Sequence, residues 1–99
     1  MGLEFAIDEL YATGWSALDS SGCERHSSGR WVPTVHRVRA EFDRSGHGLT
    51  IQYAQLFDCY RAAWTGSAGE PEGAVVGATE QEAAIYALAQ LRRSLAPIA

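Results

Sequence analysis

The sequence predicts an α+β fold in a single small domain, and three observations carry that prediction. From Thr79 onward, apolar residues recur at helical spacing behind a capping-box start. Leu49-Thr-Ile-Gln-Tyr53 alternates apolar and polar residues, as a half-buried strand does. At 99 residues and 46% hydrophobic, the chain is long enough to bury over ~60% of its unfolded surface without metal or disulfide staples. Residues 1–99 form one domain, with an N-terminal helix over 1–19, a loop over 20–32 and an α-β-β-β-α core over 33–96. The three strands make an antiparallel meander, and the C-terminal helix packs on one of its faces.

The N-terminal helix rests on Leu3, Ile7, Leu10, Tyr11 and Leu18, with Glu4 placed where a helix dipole favours an acid. Gly14 is its weak point, so it stops or kinks before Trp15. Asp19 to Arg30 is rich in Gly and Ser and reads as a loop. Pro33 to Ser45 fits a helix with Val35, Val38 and Phe42 on one face, or a strand in which Val38, Ala40 and Phe42 alternate with charges. The Pro33 and Gly46 punctuation favours the helix. Leu49, Ile51 and Tyr53 face inward on the first strand; a bend near Gln55–Leu56 leads to a second strand ending at Trp64. Gly66 to Gly73 is a hairpin loop, and Ala74–Val76 is a short third strand closed by Gly77. In the last helix Thr79 is the N-cap, and Ala84, Ile85, Leu88, Leu91 and Leu95 share a face. Arg92 and Arg93 suit its carboxyl end, and Pro97 terminates it.

Composition narrows the chemistry. The chain has 8 basic residues, all arginine, against 12 acidic ones, for a net charge of −4. With no lysine there is no Schiff-base amine, no phosphate-loop lysine and no Ser–Lys dyad. Early acids at Glu4, Asp8 and Glu9 do not suit a secretory signal, and Ala6 stands where a myristoylation motif wants Ser or Thr. No apolar run approaches the ~18 residues of a membrane span. The expectation is a cytoplasmic protein with no membrane partner, Cys59 buried as a small hydrophobe and Cys23 on a loop, both as free thiols.

Three resemblances follow from these elements. The α-β-β-β-α order over residues 33–96 resembles the double-stranded-RNA-binding domain. That family grips phosphate with a basic run at the start of its last helix, where this chain has the acidic Thr79-Glu80-Gln81-Glu82-Ala83-Ala84. Ile7 to Trp15, Trp31-Val32-Pro33-Thr34 and Thr79 through Leu88 together resemble small uncharacterised α/β/α-sandwich domains of phages and bacterial genomes, which imply no particular activity. The Gly77-Ala-Thr79-Glu-Gln-Glu82-Ala83 junction is similar to that of HicB-type antitoxins, and a capping box explains the same residues.

Arg25, Arg30, Arg37, Arg39 and Arg44, with Trp31, crowd one segment and suit phosphate or an unpaired base, although the net charge disfavours nucleic acid. Tyr86 and Arg93 fall on the outer side of the last helix with Glu82 and Gln90, and suit a protein interface. Cys23-x-x-His26 is a single half-site, so no metal is expected, and no cofactor motif is present. No nucleophile elbow, phosphate loop or paired carboxylates appear, which places an enzyme third. The leading expectation is a binding module that contacts a protein partner or itself through its aromatics and open sheet edges, with anion recognition over Arg25–Arg44 as the alternative.

Overall fold

The computed structural model describes residues 2–16 and 21–95. The predicted positions of Leu18 in the first helix and of Pro97 as terminator of the last lie outside the described residues, as do Asp19 and Ser20 of the predicted loop. The elements run α1 (Leu3–Ala12), β1 (Cys23–Arg25), β2 (Trp31–Pro33), α2 (Val35–Arg44), β3 (Gly48–Ala54), β4 (Cys59–Thr65), β5 (Pro71–Gly77) and α3 (Glu80–Leu95). A single turn of 3-10 helix, Gln55–Phe57, joins β3 to β4. The α+β class, the antiparallel β3-β4-β5 meander and the docking of α3 on it are as the sequence predicts.

The described part of the region read as a loop over 20–32, from residue 21 onward, is instead a β-hairpin. Cys23 pairs with Pro33, Glu24 with Val32 and Arg25 with Trp31. Its turn closes through His26 N–H to the Arg30 carbonyl at 2.8 Å, with Gly29 at a positive φ of 89°. Strands of three residues are too short to show a period of two, so the Gly/Ser composition of the turn dominated the reading. β2 then runs straight into α2. Thr34 caps that helix by accepting from the Arg37 N–H at 3.2 Å, and its hydroxyl donates back to the Gly22 carbonyl at 2.8 Å. The helix alternative for 35–44 therefore prevails, with Val38 and Phe42 fully buried one turn apart. Gly46, at φ 78°, closes α2 while His47 N–H reaches the Phe42 carbonyl at 3.0 Å, a Schellman ending.

The sheet follows a strict face code. Leu49 pairs with Trp64, Ile51 with Ala62 and Tyr53 with Tyr60, and across the next seam Ala62 pairs with Val75 and Trp64 with Gly73. Leu49, Ile51, Tyr60, Ala62, Trp64 and Val75 pack toward the helices, whereas Tyr53, predicted to face inward, is 51% exposed at the end of β3; Thr50, Gln52, Arg61, Ala74 and Val76 are exposed on the other face. Gly73 is required where it sits, because an added Cβ would meet the Trp64 indole at 2.5 Å. β5 is longer than predicted and the hairpin loop shorter, closing at Gly66 N–H to the Glu70 carbonyl.

α3 is the centre of the molecule rather than a lid on the sheet. It packs against α1, α2 and the sheet, so Ala83, Ala84, Ile85, Ala87, Leu88, Ala89 and Leu91 are all buried. Alanine lets three neighbours approach one helix closely, and this departs from a single apolar stripe. Two predictions fail for that reason. Leu95, expected on the buried face, is 55% exposed beyond the last cover. Glu82, expected on the outer side, is buried, and Tyr86 beside it is half-buried.

Candidate binding surface at one end of the sheet

The structure spreads the arginines of the 25–44 segment over internal partners. Arg25 and Trp31 meet as a cross-strand pair, the guanidinium 5.1 Å from the ring centre. Arg30 bonds Asp8 of α1 at 2.7 Å and lies 5.3 Å from the Tyr11 ring. Arg37 reaches Glu41 at 3.0 Å, the Ser21 carbonyl and, at 3.7 Å, the Cys23 sulfur. Arg44 shares Glu41 at 3.7 Å. Arg39 donates to the Leu49 carbonyl at 3.4 Å and so covers part of the free edge of β3. Arg93, proposed for an interface, pairs with Glu9 of α1. Arg25 with Trp31 and Arg37 with Arg44 are brought together; the six do not converge on one point.

Of the thiols, Cys23 sits in β1 rather than a loop, and Cys59 is half-buried at the start of β4. Among the described residues no three His, Cys, Asp or Glu side chains gather as a metal set. No helix among them is long and apolar enough to cross a membrane.

A different surface stands out at the end of the sheet where β3 finishes, β4 begins and β5 finishes. Leu56 and Phe57, in the 3-10 turn, are 87% and 75% exposed, the most exposed large apolar side chains among the described residues. Tyr53 at the end of β3 and Val76 near the end of β5 are also exposed, as is Phe5, one turn into α1. The turn is pinned from behind. Asp58 takes the left-handed conformation, φ 49° and ψ 49°, which Asp tolerates better than most residues, and its carboxylate accepts from the Tyr53 hydroxyl. That bond, more than burial, holds the Tyr53 phenol above its ordinary pKa.

Beside the turn lies an open groove of about 510 Å³. Cys59, Val75, Val76, Gly77 and Ala78 make its apolar walls, and Glu82 and Tyr86 line it from α3. At Gly77 in its wall, an added Cβ would lie 2.6 Å from the Ala83 amide nitrogen. α3 therefore starts in direct contact with the β5 backbone. Burial, and secondarily the Glu82 charge, push the Tyr86 phenol above its ordinary pKa. The cap is half a capping box: Thr79 accepts from the Glu82 N–H at 3.1 Å, but the Glu82 carboxylate does not return the bond.

Tyr86 is the one sequence-selected residue that lines this groove; Leu56, Phe57 and Glu82 were missed as functional candidates. The signal for the first two was present, since Gln55-Leu-Phe-Asp58 puts two large apolar side chains in a turn, where polar residues are the rule. Fold and surface together define a small α+β domain with an apolar groove and an apolar turn at the same sheet end. No protein-family model, curated protein or solved structure matches the chain.

Proposed function

We propose that this domain is a binding module that pairs with a second copy of itself through the apolar end of its sheet. The observation that carries the reading is the juxtaposition of knob and hole: Leu56 and Phe57 project from the turn, and Asp58 and Cys59, the next two residues, already line the groove. A two-fold axis brings the same patch of each copy against the other, so a surface holding both a projection and a recess is self-complementary. Burying Leu56, Phe57 and Val76 removes apolar area from water at ~25 cal/mol per Å², which offsets the cost of association. A protein with this role shows twice the chain mass by light scattering at tens of micromolar, while Phe57→Asp shows the monomer mass, with a urea midpoint equal to that of wild type when both are diluted to the monomer. Leu95→Asp, at an exposed apolar position outside this surface, keeps the doubled mass. A wild-type mass equal to one chain at every concentration overturns the reading, and so does a dimer that survives Phe57→Asp and Leu56→Asp together.

A further inference from the structure

The groove contains a largely buried carboxylate that no protein group among the described residues pairs with. Glu82 is the one buried charged residue among the described residues, at 7% exposure. Among those residues no donor reaches its carboxylate and no cation pairs with it. The other carboxylates that contact structure are matched: Asp8 by Arg30, Glu9 by Arg93, Glu41 by Arg37, Glu72 by His47, Glu24 by Gln81 and Asp58 by Tyr53. No side-chain oxygen is wholly enclosed without a partner, so the Glu82 oxygens keep a sliver of solvent contact, and the residue lines the groove. Its place in the first turn of α3 gives it the partial positive charge of the helix end. That offsets part of the burial cost but supplies no hydrogen bond. The rest of the lining is apolar or acidic, with Asp58 at the rim and no arginine or histidine.

We infer that the groove is a binding site for a small amphipathic cation, an aliphatic or aromatic stem ending in a protonated primary amine, with the stem on Val75, Val76 and Ala78 and the ammonium on Glu82. The volume falls in the ~300–1,000 Å³ range of small-ligand pockets, and a desolvated carboxylate in an apolar wall favours a compact donor cation over a neutral isostere. The same chemistry is carried by a free amine or by a lysine side chain. A second copy of this chain offers no lysine side chain for this role.

The test is run on the Phe57→Ser chain, so that pairing of copies does not compete for the groove and no charge is added beside Asp58. Hexylammonium, hexanol and hexanoate are titrated by NMR, following the amides of Val75, Gly77 and Tyr86, and a blocked Leu-Lys-Leu peptide forms a second arm. Hexylammonium is expected to bind about tenfold tighter than hexanol, equivalent to ~1.4 kcal/mol. The near-isosteric Glu82→Gln is expected to reduce that preference to within about twofold while leaving hexanol binding in place. Peptide binding with the same Glu82 dependence assigns the ammonium to a polypeptide, and free-amine binding alone assigns it to a small molecule. Equal binding of all three hexyl probes, binding of none of them, or an ammonium preference that survives Glu82→Gln overturns the inference. None of these outcomes bears on the mass measurement that tests pairing of copies.

Discussion

The segment from Arg25 to Arg44 and the sheet end around Leu56, Phe57 and Glu82 use their side chains in opposite ways. In the first, an unusual density of charge is spent inside the molecule: Arg30 ties the hairpin to α1, Arg37 ties it to α2, and Arg39 binds the edge of β3. In the second, large apolar groups stay in water and the carboxylate of a largely buried glutamate has no protein donor. Residue types that advertise binding in a sequence are therefore weak guides until their partners are known. A guanidinium has five donors and finds internal acceptors readily, whereas an exposed Phe at a turn has nothing nearby to cover it.

The largest expected effect tests the apolar end. Gly77→Ala puts a methyl group against the backbone of Ala83, which a side-chain rotation cannot relieve. The start of α3 must lift off β5, at a cost of about 1–3 kcal/mol. Urea denaturation reads this as a lower midpoint, and doubled mass is lost with it because the groove changes shape. A Gly77→Ala protein of wild-type stability would mean that α3 is not seated on β5 as described.

Next in size is Arg37→Ala, which tests the other side of the contrast. Its side chain is largely buried and bonds Glu41 and the Ser21 carbonyl, so removal frees a half-buried carboxylate and loosens the hairpin from α2. The expected loss of stability is ~1–2 kcal/mol, read as a lower urea midpoint. Association by light scattering is expected to be unaffected. If stability holds and association or polyanion binding falls instead, the arginine segment is a working surface and the contrast reverses.

How much of this was legible follows from the length scale of each signal. Sixteen residues of α3 and seven of β3 hold enough periods to be read; Thr79 caps α3 as expected, but the Glu82 half of the predicted capping box does not form. The β1–β2 hairpin was not legible, because its strands hold three residues each and pairing across a glycine turn is a non-local fact. Alanine misled in α3: Ala83, Ala87 and Ala89 carry almost no hydropathy contrast, yet they mark contact with α1, α2 and the sheet. That error turned Glu82 and Tyr86 outward. The arginines were visible as a cluster, but their partners, Asp8 at 22 residues' distance and Ser21 at 16, belong to the tertiary fold.

The smallest effect examines how dry the groove is, through Tyr86. Its phenol is held above the usual value of about 10, chiefly by burial and then by the Glu82 charge. A raised pKa in the folded state means that the native protein keeps this proton at a pH where the unfolded chain has released it. The associated stability is fully present below about pH 10 and is lost as pH rises through the higher folded value. Tyr53 is raised as well, by its bond to Asp58, but it is common to wild type and Tyr86→Phe and cancels between them. The urea midpoint of Tyr86→Phe should therefore fall less steeply with alkaline pH than that of wild type. In Glu82→Gln the tyrosinate absorbance assigned to Tyr86 should appear at lower pH, by less than half of the original displacement, because burial is the larger cause. A displacement abolished by Glu82→Gln would make charge the main cause and the groove wetter than its apolar walls imply. An unchanged displacement would mean that the Glu82 charge does not reach the Tyr86 hydroxyl across the groove.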